Sequence, residues 1–320
     1  MSKKINKIFF GLCLLVVGQY SIADAVTRQL ALPENEPTAL QVAQQVYFAN
    51  HFYAFENFSI SKKGRSLAVL MNKSEKGKLS VIALERYLNN RYEDDDVIKS
   101  KDLAIFKSGK LKGTGMLVAD YDDADKSQSY LIWLPALRKI RRFAEPAHDE
   151  TWGGSVFTFG DVTLRKPSDE SHELLGKKKF RTCLGTMTDV ESEHVRYAGK
   201  IPKRSCRHIG KTVYGLKSTA KSENWWYDYR ISLVDTKSFA DYRTLFYKDG
   251  KLMKIIDRDW GVVNQSNTRD PRALFWKSWY GINLDTGQQT LAIIPQEVIK
   301  FNTDQKNSFW SEKTLRRIKR

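Results

Sequence analysis

The 320-residue sequence predicts a mainly-β domain folded as an antiparallel meander. Three observations predict it: segments in which apolar and polar residues alternate, tight-turn residues between those segments, and the absence of alternating strand-like and helix-like stretches. Alternation sends every second side chain to one face, the mark of a half-buried strand. Asp-Gly between two such runs closes a hairpin. Without βα units a parallel nucleotide-binding sheet is not supported. Short strands at regular spacing close as a barrel or a sandwich.

At the N-terminus Lys3, Lys4 and Lys7 precede the apolar run Ile8 to Val17. Ten residues are too few to span a bilayer, which takes about 20. Small residues follow, with cleavage expected near Ala23 or Ala25, so residues 1–25 read as a secretory signal peptide and the mature chain is expected in the periplasm. Residues 26–37, with Pro33 and Pro37, form an arm, and residues 38–320 a single domain. Thr38 to Phe55 reads as a helix, with apolar residues at helical spacing and Thr38 after Pro37 as its start. Strands follow at Ser59 to Met71 and Leu79 to Leu88, around a turn at 73–77. Leu103 to Phe106, Gly115 to Tyr121 and Tyr130 to Leu134 are next, and Pro135 ends the last of these because it donates no ladder bond. Lys166 to Lys179 reads as a mobile loop. Tyr227, Tyr229, Ile231 and Leu233 alternate with polar residues. Two hairpins close the chain, one through Asp249-Gly250 between Phe239–Tyr247 and Leu252–Trp260, the other through Asp285-Thr286-Gly287 between Leu274–Leu284 and Thr290–Ile294.

The formal charge is +16, and removing residues 1–25, with three Lys and one Asp, leaves +14. A surface that basic favours anionic partners such as lipid headgroups or acidic proteins. Export argues against nucleic acid. Cys183 and Cys206 survive processing, and an even pair in an oxidising compartment suggests a disulfide. The five His form no His-Glu-x-x-His or Cys-His pattern, and no Gly-x-Ser-x-Gly elbow occurs. His148-Asp149-Glu150 sit on one loop and seldom converge on a metal from there. Asp94 to Asp96, and Asp122, Asp123 and Asp125, read as solvated turns. No enzyme, cofactor or metal site is expected.

The most specific stretch is residues 130–161. It carries Leu134-Pro135-Ala136-Leu137-Arg138, then Arg141-Arg142, then Gly154-Ser155-Val156-Phe157-Thr158-Phe159-Gly160-Asp161. This resembles the LolA-like family of outer-membrane lipoprotein-sorting proteins, in the branch encoded beside resistance-nodulation-division (RND) transporters. Lys112-Gly113-Thr114-Gly115-Met116-Leu117-Val118 and the hairpin Tyr242 to Lys254 extend the likeness. The chain departs from the family pattern at Val156, where Asp is expected, and at Gly160, where Glu is expected.

The resemblance implies a curved antiparallel half-barrel with helices over its concave face. It implies a monomeric carrier of a lipid or acylated lipoprotein, with an RND-type transporter and an outer-membrane acceptor as partners. With 8 Trp, 14 Tyr and 16 Phe, aromatics abound. Trp133, Phe157, Phe159, Tyr229, Phe246, Phe275, Trp276 and Trp279 are candidates to line an apolar cavity, against the alternative of a packed core. Arg138, Arg141 and Arg142 either meet a headgroup or a partner's acidic face, or pair internally, for instance Arg142 with Asp161. Residues 143–155 and 166–179 are candidate lids.

Overall fold

Thr38 starts the first helix with a reciprocal cap. Its hydroxyl accepts from Gln41 N while its own N–H donates to the Gln41 side chain, and α1 (Ala39–Asn50) follows. The structure is a computed structural model that describes residues 26–91, 97–123, 125–188, 190, 201–263 and 269–318. The signal-peptide residues and Asp94 to Asp96 lie outside the described residues. The helix stops five residues short of the expected Phe55. Phe52 adopts φ +56°, which turns the chain and drives its ring between Phe58, Phe275 and Trp276.

The strands that follow form one antiparallel sheet. Its first meander comprises β1 (Asn57–Ile60), β2 (Ala68–Lys73), β3 (Leu79–Asn89), β4 (Ile98–Phe106), β5 (Gly115–Tyr121), β6 (Ser129–Leu134) and β7 (Lys139–Phe143). The second comprises β8 (Glu170–Lys179), β9 (Thr212–Ala220), β10 (Tyr229–Asp235), β11 (Asp241–Lys248), β12 (Lys251–Val262), β13 (Leu274–Asn283) and β14 (Gln289–Ile293). The order across the sheet is β7-β6-β5-β4-β3-β2-β14-β13-β12-β11-β10-β9-β8, and the short β15 (Ile299–Phe301) pairs with β1. The sheet is open and curved, as the half-barrel expectation required.

Two expected elements change. Ser59 to Met71 is two strands, because β3 is long enough to serve both: Arg86–Asn89 pair with β1 and Leu79–Leu84 with β2. The stretch 166–179 is no mobile loop but a short turn followed by edge strand β8, paired with β9 from Glu170↔Ala220 to Lys179↔Thr212. It looks like a loop in sequence because an edge strand leaves its outer side in water, and lysines there discourage further pairing. It is therefore not a lid.

The two meanders place β7 at one edge and β8 at the other, so residues 144–169 must cross the whole concave face to connect them. This crossing segment and α1 cover that face. Val42, Ala43 and Val46 of α1 pack on Tyr214, Leu216, Val234 and Phe239. The convex face is covered too. Trp310 and Leu315, the latter in α2 (Glu312–Arg316), pack on Leu103, Ile105 and Leu117, and Met187 packs on Met71, Tyr280 and Leu291. Gly115 admits this C-terminal segment: a Cβ there would stand 2.2 Å from Ile318 Cδ1.

The loop carrying Met187 is tied by the Cys183–Cys206 disulfide, 23 residues apart in sequence. Arg243 holds the same loop through Cys183 O at 3.1 Å and pairs with Asp257 at 2.6 Å. Closing a loop of that length contributes about 3 kcal/mol. Urea unfolding of a Cys183→Ala/Cys206→Ala variant should show a loss of about that size. An unchanged midpoint would mean that packing alone holds the loop.

Candidate functional site

Between β2–β6, β13–β14 and the crossing segment lies a cavity of about 130 Å³. Strand alternation builds its walls. Leu84, Arg86 and Leu88 come from β3; Ser100, Asp102 and Ala104 from β4; Met116, Val118 and Asp120 from β5; and Tyr130 from β6. Trp152, Phe157, Phe159 and Val162 of the crossing segment close it, with Trp276, Trp279 and Ile294 on the sheet side. Polar groups gather where the strands near Asp120, Ser100 and Leu88 meet α1. Arg86 pairs with Asp102 at 2.7 Å within the wall. His51 sets Nδ1 2.9 Å from Tyr47 O, and burial pulls its pKa down to about 4, so the imidazole is neutral at neutral pH.

The sequence-selected aromatics divide. Phe157, Phe159, Trp276 and Trp279 line the cavity, and Phe157 stacks on Trp279 with centroids 4.4 Å apart. Phe275 is buried in the core against Phe52 and Phe58, and Phe246 is buried against Tyr227. Trp133 faces the other way. Tyr130 points inward, so the residue three further along a strand points outward, and Trp133 packs on the C-terminal segment. Tyr229 stacks on Tyr247 at 4.7 Å and takes no part in the lining. The aliphatic wall residues Leu84, Ala104, Met116 and Val118 escape a search for aromatics; the phase of alternation along β3–β5 is the signal that finds them.

Arg138, Arg141 and Arg142 stand exposed on the β6–β7 turn and on edge strand β7. The suggested pairing of Arg142 with Asp161 does not occur. Asp161 is buried and binds Lys254 at 2.6 Å and Arg165 at 3.5 Å. The two departures from the family pattern also acquire reasons. Val156 is buried, and its N–H donates to Thr290 Oγ1 at 2.9 Å. Gly160 leaves room for Trp226, whose ring a Cβ would approach to 2.3 Å.

Asp161 belongs to a buried ionic network that pins the far half of the crossing segment. Glu170 accepts from Arg230 at 2.9 and 2.7 Å and from Tyr227 Oη at 2.8 Å, with Arg165 at 3.8 Å. Arg258 pairs with Asp241 at 2.6 Å, and Asn50 of α1 donates to the same carboxylate. Burial alone would raise the pKa of Glu170. The Arg230 and Arg165 charges and the bonds to Arg230 and Tyr227 outweigh it and hold the value at about 2.

A family model described as "Uncharacterized protein" matches residues 99–317, more than half of the chain. The chain belongs to that family, and its fold is LolA-like. A putative outer membrane lipoprotein-sorting protein domain from Vibrio parahaemolyticus superposes with a TM-score of 0.60 at 16% identity, covering 87% of this chain and 98% of that one. A DUF1329 family protein from Desulfovibrio piger gives 0.61 at 14% identity, covering 88% and 100%. A LolA superfamily protein from Nitrosomonas europaea gives 0.49 at 10% identity, covering 87% and 100%. Comparison with curated proteins gave no match. Among the described residues no helix is long and apolar enough to cross a membrane.

In this LolA-like fold the network predicts acid lability. The pKa of Glu170 is lower folded than unfolded, so its contribution is complete above the unfolded value near 4.5 and is lost as pH falls toward about 2. Denaturation across that window should cost the native chain about 3 kcal/mol more than Glu170→Gln. At neutral pH the same substitution should destabilise by about 3–5 kcal/mol, because Arg230 stays buried without its anion.

Proposed function

We propose that this protein is a periplasmic carrier. It shields the acyl chain of a lipid or lipoprotein in the cavity and passes it toward the outer membrane without covalent chemistry. The observation that carries this reading is the cavity itself: an apolar space inside an open sheet, roofed by a segment whose ion pairs gather toward one of its ends. The fold shared with a putative lipoprotein-sorting domain, the N-terminal sequence and the disulfide agree with it. Phe157, Phe159, Trp276 and Trp279, with Met116 and Val118, are the residues assigned to the chain.

At about 130 Å³ the cavity is close in size to engineered cavities that admit benzene, and smaller than pockets for drug-sized ligands, which run from about 300 Å³. Uptake of a whole acyl chain therefore requires the roof to move. The ion-paired residues Asp161 to Arg165 resist motion. Residues 144–159 have no ion pair among the described residues; the Val156–Thr290 bond, the Gln128 N–H to Glu145 bond and ring contacts of His148, Phe157 and Phe159 hold them, and Gly153 and Gly154 both sit at positive φ as a natural hinge. In this reading the donor is an inner-membrane RND-type transporter and the acceptor lies on the outer membrane. The small volume favours one alternative, an accessory protein of such a transporter that carries no lipid.

Native mass spectrometry of protein purified from the periplasm, followed by solvent extraction, separates the two. A bound mass that extraction removes and that proves acylated is expected. A clean apo mass with no uptake of a fluorescent fatty acid overturns the carrier reading. In the same probe assay Ala104→Phe should exclude on the order of three methylenes, weakening binding by about 2.4 kcal/mol or roughly 50-fold. Trp133→Ala, on the other face, should leave the affinity alone.

A further inference from the structure

We propose that one end of the first meander docks on an anionic membrane surface. The inference goes beyond the carrier reading, because it concerns the outside of the molecule and holds whatever the cavity contains.

In an antiparallel meander alternate turns fall at the same end. The β2–β3, β4–β5 and β6–β7 turns therefore share one end, and the β5–β6 turn lies at the other. The sequence has sorted its charges accordingly. Lys76, Lys78, Lys110, Lys112, Arg138 and Lys139 are all exposed at the first end, and none has an ion pair among the described residues. The sole carboxylate in those three turns is Glu75. The β5–β6 turn instead presents three carboxylates, Asp122, Asp123 and Asp125, against one cation, Lys126.

Two further features converge on the basic end. The C-terminal segment runs back over the convex face until Ile318 sits over Gly115, at the start of β5, which brings the exposed Arg317 to the same end. At the apex of the β6–β7 turn Leu137 is 54% exposed among these cations. A single exposed leucine is ordinary on a protein surface, but one at the apex of a turn among Arg138 and Lys139 is placed to enter an apolar boundary beneath anionic headgroups. A bilayer suits the charges and the leucine at once: headgroup phosphates reach several separated turns on one face, and the acyl boundary receives Leu137. Arg141 and Arg142 extend the same charge along β7.

The experiment is co-sedimentation of the protein purified after export with vesicles containing phosphatidylglycerol, compared with vesicles of phosphatidylcholine alone, across a salt series. Binding to the anionic vesicles that weakens with salt is expected. Each neutralised charge should lower affinity roughly fivefold, so Lys110→Gln/Lys112→Gln/Arg138→Gln should lower it ~100-fold. Leu137→Ser should weaken it several-fold without altering the salt slope. A control that removes the same net charge elsewhere, Lys211→Gln/Lys237→Gln/Lys300→Gln, should bind like the native chain. Equal binding to both vesicle types, or equal loss in the control and the test variant, would overturn the proposal. So would full binding by the test variant, provided that circular dichroism shows it folded.

Discussion

A carboxylate withdrawn from water must meet cations, and the placement of Asp161 and Glu170 follows from that constraint. The chain has to travel from one edge of a wide sheet to the other across a largely apolar face. It does so by seating Asp161 against Lys254 and Arg165, and by entering β8 at Glu170, which grips Arg230. These charges reach cations on β10 and β12, and Asp241 in turn links β12 to α1. One part of the crossing segment is thereby fixed in register with the sheet. The part before it is held by ring contacts and neutral-donor hydrogen bonds, with no ion pair among the described residues, and the cavity lies beneath that part.

Both faces of the sheet are occupied, each by a different device. On the concave side α1 and the crossing segment bury apolar surface directly. On the convex side a disulfide-closed loop and a C-terminal segment do so, the latter passing over a glycine because no side chain fits below Ile318. Covering both faces leaves turns and edge strands as the surface available to partners. The turns at one end of the first meander carry six exposed cations with no ion pair among the described residues and a single carboxylate, so the outer chemistry of the molecule has a direction too.

The architecture was readable wherever alternation and turn chemistry agreed. The two late hairpins, the helix start at Thr38 and the strands from Gly115 and Tyr130 stand close to their expected places. β8 and β9 were not readable, because Lys166 to Lys179 has a loop's composition and reveals itself as strand only through Glu170, whose partner Arg230 lies 60 residues away. The cavity was half legible. Phe157, Phe159, Trp276 and Trp279 could be picked out as aromatics near a family motif, while Trp133 and Tyr229 could not be placed without knowing which phase of each strand faces inward. Residue type carries the likelihood of burial, whereas the face depends on register, which bulges such as that between Asp259 and Trp260 reset. The ionic network was invisible for the same reason: its members are distant in sequence, and each looks like an ordinary surface charge.

The open sheet has one further consequence, for self-association. A closed barrel has no free rim, but this sheet ends in β7 and β8, each presenting unpaired backbone groups to any other strand. Both rims are cationic, with Lys139, Arg141 and Arg142 on one and Lys177, Lys178 and Lys179 on the other. Where two copies joined rim to rim with these stretches opposed, lysines and arginines would face each other across the roughly 4.8 Å that separates paired strands. That repulsion opposes joining of these chains through their sheets, and it suits the rims to partners of opposite charge.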